Sequence, residues 1–199
     1  MKTTQLTKND VEGARGEIFH MIIFAMAWVM IGEYALDFRD HVLAALMVLA
    51  AVVVLALYSI KLFDLEDSLP DVIPGIVRLE RKQKRRASLY ATIFILEGVA
   101  IMATWIILIR SGHENWVVPG FAAVAGLHFF PLARVIRVDS YYFLGTWICL
   151  LAVAGYLLVN SGQMPDYDSN ALIAYGCAAG AVVDGIWIAL KTNRRARQV

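Results

Sequence analysis

Residues 42–60 read VLAALMVLAAVVVLALYSI, nineteen consecutive positions without a charge. A bilayer core about 30 Å thick takes about 20 apolar residues of helix at about 1.5 Å rise each. The stretch is therefore long enough to cross. It does not alternate apolar with polar residues, as a barrel strand must, so helix is the reading that satisfies its backbone in lipid. Outward from this segment, five more follow the same rule. The six spans fall at 18–36, 42–62, 89–109, 116–136, 141–160 and 170–190, in an all-α, polytopic membrane domain covering 18–190. Residues 1–17 form an N-terminal segment, 63–88 a long connection and 191–199 a basic tail.

Composition agrees. The 199 residues are 59% hydrophobic and only 18% charged, against about 25% charged in soluble domains. A net charge of +1 gives no reason to expect nucleic acid as a partner. Cys149 and Cys177 sit in apolar runs without metal-ligand spacing, so neither a metal nor a disulfide framework is expected. No phosphate-cradling glycine loop, dinucleotide fingerprint or Ser/His/Asp order is present. No cofactor is expected, and an enzyme is the less favoured class.

Charge placement sets the expected orientation. With six spans, sixteen of the eighteen Lys and Arg residues fall on the side of the termini, and only Arg39 and Arg110 on the other. The positive-inside rule then makes both termini cytoplasmic. The short connections predict three antiparallel hairpins, 1 with 2, 3 with 4 and 5 with 6. The first span reads as a retained helix, because Lys8-Asn9-Asp10-Val11-Glu12 mixes charge signs and no small-residue cleavage site follows it.

The connection at 63–88 opens acidic (Asp64, Glu66, Asp67, Asp71), passes Pro70 and Pro74, and turns basic at Arg78, Arg81, Lys82, Lys84, Arg85 and Arg86. Its plain reading is a solvated loop that fixes topology. The sharper one is a short helix lying on anionic lipid headgroups, with Ile76, Val77 and Leu79 towards lipid.

Ionisable groups inside the spans carry the functional argument. At a helix centre each costs about 2.5–3.5 kcal/mol or more, so those that remain face the bundle interior. Glu97, His128 and Asp184 lie about 12, 12 and 9 Å from the cytoplasmic ends of spans 3, 4 and 6 at 1.5 Å per residue, and His20 is shallower on span 1. Three readings follow. The groups can be structural, gluing helices by polar bonds. They can form a permeation or proton-coupled path, since an imidazole opposite a carboxylate exchanges protons near neutral pH. They can form an embedded metal or catalytic site, which no HExxH or paired cysteines support.

Weaker signals surround this set. Pro131, three residues after His128, removes a backbone hydrogen bond and is expected to kink span 4, freeing a carbonyl near residue 127. Gly176 and Gly180 make a small-xxx-small face, for an internal contact or for a homo-oligomer. Trp116, Tyr141, Tyr142, Tyr156 and Trp187 read as interfacial anchors. A faint repeat, offset by 56 residues, aligns Gly120-x-Ala122-Ala123-x-Ala125-x-x-His128 with Gly176-x-Ala178-Ala179-x-Ala181-x-x-Asp184. Small residues abound in any membrane helix, so chance rivals it.

Gly126-Leu127-His128-Phe129-Phe130-Pro131-Leu132-Ala133, then Arg134 and Arg137 in a turn and Tyr141-Tyr142 opening a helix, resembles an uncharacterised family of small bacterial multi-pass membrane proteins with a Gly-x-His-Phe-x-Pro-Leu-Ala stretch. The resemblance spans about thirty residues. It implies a bacterial cytoplasmic (inner) membrane location, with His128 and Pro131 in the signature, and brings no activity with it.

The expected function is small-solute or proton-linked transport, as a transporter or channel, with Glu97, His128 and Asp184 lining an inward-facing polar pocket and His20 in the same intramembrane cluster. The alternative is a non-catalytic scaffold or sensor acting through the basic connection, its polar cluster purely structural.

Overall fold

The computed structural model describes residues 8–37, 42–68 and 77–196. They form six long helices: α1 (Lys8–Ala35), α2 (Val42–Ser68), α3 (Val77–Arg110), α4 (Val117–Ile136), α5 (Ser140–Ser161) and α6 (Asp166–Ala196), with a single 3-10 turn at Glu114–Trp116 before α4. All six are long and apolar enough to cross a membrane.

Helix ends follow local chemistry. Gly162 takes a left-handed φ of 63° after α5, the conformation that costs glycine nothing. Arg137 does the same after α4 with φ 66°, its amide donating to the Ala133 carbonyl at 2.8 Å. For a residue with a Cβ this conformation is costly; the gain is a three-residue connection to α5.

Packing is inverted relative to a soluble bundle. Large side chains such as Met47, Val54, Ile95, Ile107, Phe143 and Leu157 are exposed, whereas Ala122, Ala125, Ala174, Ala178 and Ala181 are buried. Lipid tails are as apolar as leucine, so helices gain by close approach, and small residues permit it. α1 and α6 share the most extensive interface, followed by α4 and α5. On α1 the buried residues Val11, Ala14, Ile18, Met21, Ala25 and Trp28 recur at alternating steps of three and four, the spacing of a coiled-coil seam. Chain neighbours α1–α2, α3–α4 and α5–α6 also touch. In α4 and α5, Gly126 and Gly145 face one another so closely that a Cβ on Gly126 would stand 2.9 Å from the Cys149 amide nitrogen and 3.0 Å from the Gly145 carbonyl oxygen.

Three expectations from sequence change here. α1 begins at Lys8 rather than near residue 18. α6 continues through the basic tail to Ala196. The connection expected at 63–88 is largely helical, because α2 runs to Ser68 and α3 starts at Val77. The run VRLERKQKRR is rich in strong helix formers, so it prolongs α3 instead of forming a separate surface helix. What Arg78, Arg81, Lys82, Lys84, Arg85 and Arg86 touch lies outside the described residues.

Candidate functional site: a buried polar string

The site begins with spacing. On α1, Glu17, His20 and Phe24 are three and four residues apart and share one helix face. On α3, Tyr90, Phe94 and Glu97 lie four and three apart and do the same. α4 contributes His128 and Phe129, α5 contributes Ser140 and Tyr141, and α6 contributes Asp184 and Lys191. The first half of α1, the middle of α3, the last half of α4, the start of α5 and the last half of α6 therefore meet at one level.

Glu97 and His128 are in contact: the carboxylate Oε1 lies 3.0 Å from His128 Nδ1, with the His128 side chain 4% exposed and that of Glu97 11%. The oxygen stands off the axis of the ring N–H, and His128 Nδ1 and Nε2 make no directed hydrogen bond. The contact is close in distance but poor in hydrogen-bond geometry.

His20 stands next in line. Its Nδ1 is 3.0 Å from the Tyr90 hydroxyl, its ring centroid 6.4 Å from that of His128, and its Nε2 is buried without a partner. Aromatic rings wall both imidazoles. Phe94 is 4.9 Å from His20 and 5.7 Å from His128, and Phe129 is 4.2 Å from His128. Tyr141 packs 6.4 Å from His20.

Beyond Tyr141 lies a second group of acids. Glu17 is within Coulombic range of Asp184 and Lys191, and Tyr141 of both Glu17 and Asp184. Asp184 is 7% exposed. Ser140 stands within reach of its carboxyl group, although neither Asp184 Oδ2 nor Ser140 Oγ makes a hydrogen bond of good geometry.

The single pocket expected for Glu97, His128 and Asp184 is thus two groups. Glu97, His128 and His20 adjoin, and no hydrogen bond or ion pair joins Asp184 to Glu97 or His128 among the described residues. α6 packs only lightly on α4, and Tyr141 adjoins both His20 and the Asp184 group. Tyr141, expected as an interfacial anchor, is instead 1% exposed, in the core. Pro131 lies on the exposed face of α4 with Leu127 one turn back, away from the polar string, and α4 is helical through it. Gly176 and Gly180 face α5, where an added Cβ would meet Leu151 and Trp147 side chains at 2.8 and 2.7 Å.

Glu17 and Tyr90 belong to the site although hydropathy does not single them out. Glu17 falls one residue before the expected start of span 1. The signal that points to it is its three-residue step to His20, on a helix that starts earlier than the apolar run does.

Chemically, the string offers acid, imidazole, imidazole, phenol and acid in order, with His20 Nε2, both His128 nitrogens and Asp184 Oδ2 short of partners. Buried polar atoms are normally satisfied, so this region has hydrogen-bonding capacity for a proton carrier or small polar solute. Among the described residues, no three His, Cys, Asp or Glu side chains converge closely enough to hold one metal ion. Comparison with protein-family models, with curated proteins and with solved structures finds no match to this chain.

Proposed function

We propose that this is a proton-linked transporter of the bacterial inner membrane, with three antiparallel hairpins and both termini in the cytoplasm. The orientation rests on the sixteen-to-two division of basic residues. The observation that carries the activity is the Glu97–His128 contact inside the bundle, with His20 and Tyr90 behind it. A carboxylate and an imidazole in contact can share or pass one proton, and a second imidazole extends the route. In this reading Glu97 accepts the proton, His128 relays it, and His20 with Tyr90 hands it towards Tyr141, Glu17 and Asp184. Aromatic walls keep the charged forms from straying into lipid.

The test is proton flux into proteoliposomes carrying an internal pH-sensitive dye, with candidate small solutes supplied on one side. Glu97→Gln and His128→Ala each lower solute-dependent flux at least about tenfold, the scale of one general acid–base or charge-assisted contact. Equal flux in wild type and both variants rejects the assigned roles.

A second reading draws support from the continuation of α3 to Val77. The basic run then sits on the same helix as Glu97, and a sensor of anionic lipid or of a partner would couple the two. It requires that neutralising residues 78–86 disturbs function while Glu97→Gln alters only stability.

A further inference from the structure

A groove opens from the far end of the polar string, on the membrane-facing side of α5 and α6, and shares Ser140, Asp184 and Lys191 with it. There the two helices part to leave about 700 Å3. Trp147 lies against Gly180 of α6, where an added Cβ would meet its ring at 2.7 Å, and its indole Nε1 donates to the Gly176 carbonyl at 3.0 Å; Ala179 and Val183 line the groove beside it. Phe143, Val183 and Trp187 complete an apolar and aromatic wall that is open laterally, all three being exposed. Polar groups collect at one end only, where α5 begins and α6 nears its end: Asp139, Ser140, Asp184 and Lys191. From Lys191 to Ala179 the groove follows α6 for about 18 Å at 1.5 Å per residue.

A polar head and a long apolar body are the shape of a single-chain amphiphile. The sign of its headgroup follows from charge. Two carboxylates line the head of the groove. Asp184 is more than nine-tenths buried, Ser140 is beside it, and its Oδ2 makes no hydrogen bond of good geometry; a buried carboxylate so poorly matched by cations and donors is costly. Among the described residues lining the groove Lys191 is the one cation, and it lies within range of a third acid, Glu17. Aromatic faces beside the acids favour an organic cation further. We propose that this groove binds an amphiphile with an ammonium headgroup, its nitrogen on Asp184 and its chain along Val183 and Ala179 between Trp147 and Trp187. The inference concerns binding alone: the groove shares Asp184 with the proposed proton route, and binding there does not require that protons move along it.

The experiment uses the full chain in lipid nanodiscs and undecyl probes brominated at the tail, bearing an ammonium, a phosphate or a hydroxyl head. Bromine quenches the tryptophans that flank the groove. The expected result is saturable quenching by the ammonium probe at least about tenfold tighter than by the alcohol, the scale of one charge-assisted hydrogen bond. Asp184→Asn abolishes that preference. Ala179→Leu, on an exposed position that keeps Asp184 in place, removes saturable quenching by filling the groove. Equal, non-saturable quenching by all three probes overturns the proposal. So does tighter binding of the phosphate probe, which would give Lys191 the dominant role, and so does unchanged ammonium binding in Ala179→Leu.

Discussion

α3 and α6 each carry one acid into the apolar layer, and they hold it by opposite means. α6 is the most enclosed helix, with more than half of its apolar stretch buried, whereas that of α3 holds no buried residue. Yet the acid on α3 is the paired one: Glu97 touches His128, while Asp184 Oδ2 on α6 finds no hydrogen-bond partner. Enclosure and electrostatic partnership are thus separate properties. α6 is kept in place by alanine and glycine surfaces meeting α1 and α5. α3 leans on α4, with its polar groups at Tyr90 and Glu97 as its specific attachments to His20 and His128.

The contrast breaks most visibly through bulk. Ala178→Leu places a large side chain where the surface is fully buried, and overpacking costs about 1–3 kcal/mol or more. The variant is expected to lose most of its monodisperse yield in detergent. Ala103→Leu, on the exposed face of α3, changes stability by no more than about 0.5 kcal/mol. Similar losses for both would mean that α3 is as enclosed as α6.

Charge gives the next largest effect. Glu97→Ala removes the contact with His128 and is expected to cost about 0.6–1.7 kcal/mol. The loss would be seen as faster amide hydrogen exchange confined to residues 88–110. Exchange that rises equally in α6 would show that the two helices are held as one unit.

Single hydroxyls sharpen the comparison further. Tyr90 bonds to His20 in the polar string, and Tyr175 bonds to Glu33 at the other end of α1. Tyr90→Phe and Tyr175→Phe each cost about 0.6 kcal/mol, measured by thermal unfolding. Only Tyr90→Phe lowers proton flux, if the proposed route is correct. The smallest expected change is a gain: Arg137→Gly relieves the left-handed strain after α4 and raises stability by up to about 1 kcal/mol.

The amino-acid order carries some of these properties and not others, for a definable reason. Hydropathy and helix rise report position along the membrane normal, so Glu97 and His128 can be set at a common depth from their places in the chain alone. Neither quantity reports the angle around a helix relative to its neighbours. Asp184 shares their level but is not paired with them: its neighbours are Ser140, Glu17 and Tyr141, and nothing in its own span says so. Tyr141 reads as an anchor since tyrosines at span ends usually are; its neighbour Tyr142 is exposed and it is not. Glu17 falls outside an apolar run whose helix starts at Lys8, more than two turns ahead of it. The repeat of Gly120 to His128 with Gly176 to Asp184 shows the same limit. In each copy the glycine faces the preceding helix and the ionisable residue is buried, yet one of the two meets a carboxylate and the other does not.

Where Gly126 and Gly145 meet, backbone approaches backbone, with the Cys149 thiol and the Phe129 Cβ at the flanks. A methyl group at either glycine would force α4 and α5 apart. His128 and Tyr141 sit on those two helices, so the spacing of an imidazole and a phenol depends on two hydrogens in place of side chains.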